Sequence, residues 1–192
     1  MSILKPVENE KEVRVLDAAK TVFVRHGYRR VTMQDIAEEA GISRPALYLI
    51  YANKEEVFKA AARRLAAESM RAIRADLGRH ASLEAKLNFT FELWSVYPFQ
   101  LMLSSPDAKE IVDCTHSFAK DTIQAITVEF EALLVEILEP LASTRKSILP
   151  IPQVAHLLSA SVHGYKEAAS SVDELRSMIA GIITLTLAAL RT

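Results

Sequence analysis

From Val31 to Phe58 the chain reads VTMQDIAEEAGISRPALYLIYANKEEVF. Thr32, with Asp35 three residues on, is a capping box that opens a helix. Ile36, Ala37 and Ala40 form the apolar side of that helix, and Gly41 supplies the turn after it. Ser43 caps a second helix. Pro45 in its first turn costs no hydrogen bond, because those N–H groups have no intrahelical acceptor. Asn53 with Glu56 repeats the capping pattern for a third helix. Two short helices joined by a Gly-containing turn make a helix-turn-helix, whose second helix can enter the DNA major groove.

Outward from this stretch, everything between the breakers has helical period. A first helix is predicted from about Lys11 to Arg25, with Val13, Leu16, Ala19 and Phe23 on one face and Gly27 ending it. A long helix from Lys54 to Leu77 follows the motif, with Val57, Ala61, Leu65, Ile73 and Leu77 as its buried stripe; its length is roughly 36 Å at the helical rise. Gly78 breaks it. Ser82 caps the next helix, which Pro98 is expected to stop at Tyr97. That helix is apolar over most of its circumference, which places it inside a bundle. Ser105-Pro106 opens a short helix to Cys114, a long one runs from Ser117 to Leu138, and residues 140–152 are a connection.

The last two helices are expected over Gln153–Ala169 and Val172–Arg191, with Ser171 and Glu174 as another capping box. The final helix has two apolar sides, Leu175, Met178, Ile179 and Ile182 on one, Ile183, Leu187 and Leu190 on the other. Its own domain covers one, so the second is expected to face a partner chain. The fold class is therefore all-α: an N-terminal three-helix helix-turn-helix domain over 1–53, then a ligand-binding and dimerisation bundle over 54–192, about nine helices in all.

Composition supports this division. The 192 residues are half apolar, enough for a full core. The formal net charge is −1, but residues 1–80 hold 15 Lys/Arg against 11 Asp/Glu, whereas residues 81–192 hold 8 against 13. A basic N-terminal part on an acidic remainder fits one nucleic-acid-facing domain. Cys114 is the only cysteine, so no intrachain disulfide forms and a reducing cytoplasm is the expected home. Met1 to Glu12 lacks the apolar core of a signal peptide, and the longest apolar run, Met178 to Leu190, is too short to span a bilayer. No membrane partner is expected.

The N-terminal part resembles the DNA-binding domain of the TetR family of bacterial transcriptional regulators. The matching residues are Thr32 to Ala37, Ala40 to Ser43, Leu47-Tyr48 and Asn53 to Glu56, preceded by Ala18-Ala19, Phe23, Gly27 and Tyr28. Beyond residue 60 the match is architectural. The resemblance implies a DNA-facing set of Thr32, Gln34, Ser43, Arg44, Pro45, Ala46, Tyr48 and Lys54. Within it Thr32, Tyr48 and Lys54 would hold phosphates, while Gln34 and Arg44 suit adenine and guanine edges. Two departures stand out. Leu49 and Ile50 occupy positions where the family carries aromatic or His residues that touch phosphates. Tyr51 stands where the family has Phe, and its ring either packs the three-helix core or offers its hydroxyl to a phosphate.

The resemblance further implies double-stranded operator DNA as partner, a homodimer through the last two helices, and a small-molecule effector. Phe91, Trp94, Phe118 and Tyr165 are either plain core or the walls of an effector cavity. Asn88, Glu92 and Ser95 form a polar stripe that faces either solvent or that cavity, since burial without partners costs about 1–3 kcal/mol each. The expected function is a repressor released by a hydrophobic or amphipathic molecule. The alternative is a ligand-free DNA-binding or organising protein of the same fold. An enzyme is not expected: no catalytic constellation, metal site or cofactor motif can be made out, and Asp113-Cys114-Thr115-His116 lacks a second ligand pair.

Overall fold

The computed structural model describes residues 10–104, 110–111, 114–115, 117–142 and 149–190. The order is α1 (Glu10–Arg30), α2 (Met33–Glu39), α3 (Arg44–Tyr48), α4 (Lys54–Asp76), a 3₁₀ turn (Leu77–Arg79), α5 (Leu83–Phe91), a π turn (Glu92–Val96), α6 (Tyr97–Leu103), α7 (Lys120–Ala142), α8 (Ile151–Ala168) and α9 (Val172–Ala189). No strand occurs among the described residues. The short helix expected before Cys114 lies mostly outside them, as do Asp113, His116 and most of the connection before Ile151.

The chain packs as two units, Met1–Arg64 with Met102–Thr122, and Leu65–Leu101 with Ile123–Thr192. In the first unit the helical path of α1 is interrupted at Gly27, whose φ of 73° and ψ of 167° are open to glycine and strained for other residues. The α2 cap forms as expected: the Thr32 Oγ1 accepts from the Asp35 N–H, and the Asp35 carboxylate accepts from the Thr32 N–H at 2.7 Å. The Thr32 N–H, and after it the Thr32 hydroxyl, donate to the Asp35 carboxyl and hold it below the usual carboxylate range. At its other end, the Ile42 N–H reaches the Ala37 carbonyl and the Gly41 N–H the Glu38 carbonyl, a Schellman closure with Gly41 at φ 66°. Ser43 caps α3 through the Ala46 N–H, and Asn53 caps α4 through the Glu56 N–H at 2.9 Å.

Leu47 anchors α3 with no exposure, among buried Ile36, Ala37, Val15, Ala19 and Val57. Beside them lies an aromatic cluster in which Phe23, Tyr28 and Phe58 stand with ring centroids 5.5–5.7 Å apart. Phe118 completes it, 5.1 Å from Tyr28 and 5.5 Å from Phe58. The segment bearing Phe118 is held in this unit twice more: Glu110 accepts the Arg29 N–H at 2.9 Å, and Arg63 donates to the buried Thr122 hydroxyl at 3.2 Å.

In the second unit, Phe91, Leu87, Ile73, Phe130, Leu134 and Leu158 form the centre of a core to which α9 adds Leu175, Ile179, Ile183 and Leu187. The buried stripe of α4 is rotated from the expected one: Phe58, Ala66 and Met70 are buried with Val57 and Ile73, while Ala61, Leu65 and Leu77 are only half-buried. Pro98 does not stop its helix. The turn before it widens to the π register, with the Tyr97 N–H reaching the Glu92 carbonyl, and the chain continues as α6. A wider turn removes the clash that the proline ring would make with the preceding turn of an α-helix. The final helix also corrects the sequence reading. Ile183 and Leu187, expected on a different side from Leu175 and Ile179, lie in the same core with them. Besides Asp173, Glu174 and Arg176 in its first turns and Ala189 at its end, α9 leaves exposed Ser177, Ala180, Gly181, Thr184, Ala188 and the apolar Leu185, 67% exposed.

Candidate nucleic-acid interface

The two short helices present one run of exposed residues: Thr32 and Gln34 from α2, Ser43, Arg44 and Pro45 from the start of α3, and Tyr48 and Leu49 from its end; Ala46 is half-buried. Apolar anchoring on the opposite side fixes them. Met33, Ile36 and Ala37 bury one side of α2, and Leu47 that of α3. Arg44 and Tyr48 stand four residues apart and so share a helical face. The guanidinium carbon lies 5.5 Å from the Tyr48 ring centroid, and the Arg44 Nη2 donates to the Tyr48 hydroxyl at 3.4 Å. Gln34 is likewise engaged, its Nε2 donating to Glu38 Oε1 at 2.6 Å. Ser43 uses an oxygen lone pair for its cap and keeps its hydroxyl hydrogen for another acceptor.

Two expectations change, and one open alternative resolves. Thr32 was assigned a donated phosphate contact, but it gives its one hydroxyl hydrogen to Asp35 Oδ2 at 2.8 Å, so its role in this structure is the cap. Lys54 was assigned a phosphate, yet its ammonium turns inward. It donates to the Tyr28 and Val31 carbonyls at 2.7 Å each and to the Arg29 carbonyl at 3.4 Å, 4.2 Å from the centroid of the Tyr28 ring. An ammonium has three hydrogens, and all three are committed. Burial lowers the Lys54 pKa, and burial beside Glu55 pushes the Tyr28 phenol up to about 12. Tyr51, finally, is a packing residue: its hydroxyl donates to Glu12 of α1 at 2.8 Å, part-buried, and burial with that bond raises its pKa. Leu49 stands 89% exposed at the end of α3.

The residues proposed for an effector do not form one set. Phe118 belongs to the first unit, within the Tyr28–Phe58 cluster. The other six are in the second. There Phe91 is fully buried, Trp94 stacks on Phe130 at 4.1 Å and 3°, and Tyr165 packs against the core. The polar stripe also divides. Asn88 donates to the Glu84 carbonyl of its own helix, Ser95 is buried, and Glu92 forms a two-pronged ion pair with Arg176 of α9 at 2.6 and 3.0 Å. Glu92 is thus an inter-helix link on the surface, its two carboxylate oxygens both met by Arg176. Sequence reasoning missed Glu38 and Glu110. The first is signalled by the i, i+4 spacing from Gln34; the second has no local signal.

Among the described residues no group of three side chains is placed to hold a metal ion, and no helix is long and apolar enough to cross a membrane.

Residues 15–61 match the family model described as bacterial regulatory proteins, tetR family. YfiR of Bacillus subtilis, an HTH-type transcriptional regulator, is 40% identical over 57 residues, which are 30% of this chain and 28% of that protein. The chain therefore aligns with less than a third of that relative's length. Solved structures extend the likeness to the whole fold. A transcriptional regulator from Cytophaga hutchinsonii superposes with a TM-score of 0.77 at 17% identity, covering 94% of this chain and 98% of that one. FadR of Thermus thermophilus, a TetR-family repressor in complex with lauroyl-CoA, gives 0.66 at 18% identity, covering 92% and 93%.

The inward Lys54 generates a prediction that separates a clamp from a phosphate contact. Lys54→Met leaves three carbonyls without their donor and should lower unfolding stability by about 1–3 kcal/mol. The salt dependence of DNA binding should keep its slope, whereas loss of a phosphate contact would reduce it by about 1. Equilibrium denaturation and a salt titration check both; unchanged stability with a reduced slope would restore the phosphate role.

Proposed function

We propose that this chain, a member of the TetR family through residues 15–61, is a homodimeric transcriptional regulator that represses its target and is released by a hydrophobic or amphipathic small molecule. The observation that carries the DNA reading is the exposed run of Gln34, Ser43, Arg44 and Tyr48 on two helices whose other faces are buried. Arg44 and Gln34 have the donor and acceptor groups that base edges match, and Ser43 and Tyr48 hydroxyls suit phosphate oxygens. Leu49, exposed beside Tyr48, offers an apolar group for a thymine methyl or sugar. Repeated in a two-fold dimer, this head reads two half-sites separated by helical turns.

We assign the DNA-binding head to residues 1–53 and the effector and dimerisation roles to 54–192, while the compact units of the fold divide at Arg64 and place Met102–Thr122 with the first. The dimer surface we assign to α8 and α9. On α9 the exposed side is small residues around Leu185, and on α8 it includes Leu157, Ala160 and Gly164, surfaces that let helices approach closely. An effector would be held in the second unit, where Phe91, Trp94 and Tyr165 supply apolar contact and Asn88 and Ser95 the polar groups. The fold shared with FadR, which holds lauroyl-CoA, supports an acyl or similarly apolar guest. Its response has a physical route: Glu110, Phe118 and Thr122, which lie in the chain between the two segments of the second unit, are held on the DNA-reading unit. A guest that favours one packing of the bundle shifts the dimer toward it, and by linkage DNA weakens the guest as much as the guest weakens DNA. The second reading, a ligand-free DNA-binding or organising protein, is favoured by the close stack of Trp94 on Phe130, which fills that part of the core.

Three measurements test this. Binding to a selected duplex should fall steeply with salt, and Tyr48→Ala should weaken it for all sequences while Arg44→Ala costs about 1–3 kcal/mol at one base pair; salt-independent affinity unaffected by both variants would remove the helix-turn-helix from function. Leu185→Glu should turn a dimer into a folded monomer in sedimentation, because an unpaired charge cannot be buried in a dry interface; a wild-type monomer at micromolar concentration would contradict the assignment. Trp94 is the sole tryptophan, so its emission reports on the second unit. Titration with lauroyl-CoA or a free fatty acid should shift it and release DNA; no shift and no release would favour the ligand-free reading.

A further inference from the structure

We infer that Glu38 is a specificity-determining residue that acts through Gln34, by fixing which end of the Gln34 amide is offered to a base. The inference rests on the proposed reading of α2 and α3 as a DNA-reading surface. Residues 34 and 38 lie four apart on α2 and share one helical face. Both are exposed, and the Gln34 Nε2 donates to Glu38 Oε1 at 2.6 Å, a short, charge-assisted bond.

The two ends of the amide are chemically opposite. The NH₂ end only donates and the carbonyl end only accepts. Beside an ionised carboxylate, which only accepts, one of the two orientations of the amide is excluded: the reversed one would bring the Gln34 Oε1 against Glu38 Oε1. Glu38 therefore holds the donor end toward the C-terminal side of α2. The Gln34 Oε1 remains as the end with no hydrogen-bond partner among the described residues.

That polarity has a consequence for readout. In the major groove adenine and cytosine present amino donors at N6 and N4, while guanine and thymine present acceptors at O6 and O4. A glutamine free to turn over can serve either class by exchanging its ends. A glutamine held by Glu38 leads with its acceptor and has one of its two N–H donors occupied, so it favours an amino group over a keto group. Glu38 has a second, separable effect. Its negative charge on a DNA-facing surface repels phosphates, so its removal raises affinity for DNA of any sequence while lowering discrimination at one position. A carboxylate that merely stabilised α2 would lower both together.

The experiment is selection from a pool of random-sequence duplexes by the full-length wild-type protein, Gln34→Ala, Glu38→Ala, and the double variant Glu38→Ala with Gln34→Glu. Gln34→Ala flattens one base pair and so marks it. At that pair the wild type should prefer adenine and cytosine over guanine and thymine on one strand. In Glu38→Ala this preference should fall roughly 3- to 10-fold, the scale of a single hydrogen bond rather than a bidentate pair, with the other positions retained. The double variant should regain it, because a glutamate at 34 accepts at both ends and no longer faces a like charge. A Glu38→Ala profile equal to the wild type's, an even loss across all positions, a double variant that regains nothing, or a Gln34→Ala variant with no flattened pair overturns the inference. If the wild type enriches no sequence at all, the DNA-reading function fails instead.

Discussion

The carbonyls at the end of a helix have no N–H donors within it and must be closed from outside. In α1 that closure is one lysine. Gly27 takes a left-handed φ, the chain turns, and the carbonyls of Tyr28, Arg29 and Val31 meet the Lys54 ammonium, which also stands over the Tyr28 ring. Lys54 is the first residue of α4, so the same bonds tie the start of α4 to the end of α1. Tyr28 passes the constraint on to Phe23, Phe58 and Phe118. The position of α2 and α3, whose Leu47 and Ile36 are wholly buried against this frame, follows from it.

On such a frame the polar tips do not hang free. Arg44 lies against Tyr48, and Gln34 against Glu38. Ordering long side chains before contact lowers the entropic cost of meeting a partner. It also selects which atoms are offered, which is how an acidic residue can belong on a surface proposed to meet a polyanion. Thr32 and Lys54 are the contrasting case: their polar atoms are spent inside the unit, where they hold helix ends together.

The caps were legible from sequence because they are local. Thr32, Ser43, Asn53, Ser82 and Ser171 each accept the N–H three residues on, as their spacing implies. Lys54 was not legible: a lysine at the start of a helix looks the same whether it reaches outward to a phosphate or back to a carbonyl, and only the Gly27 kink decides. Pro98 was misread because a proline ring can be accommodated by a π turn as well as by a stop. In α9 apolar residues on two sides gave no means of choosing the outward one, and the exposed side proved to be small residues, whose alanines and glycine carry little periodic signal. Phe118 was grouped with Trp94 by aromatic type alone, whereas its ring partners are Tyr28 and Phe58, some 60 to 90 residues away in sequence.

The central claim is that two such heads read DNA as a pair. Hydroxyl-radical footprinting of the wild-type protein on a duplex bearing a selected site tests it most directly. The account predicts two equivalent protected patches on one face of the duplex, centred about one helical turn or a small multiple of it apart. A single protected patch, or protection spread evenly along the duplex, would contradict it.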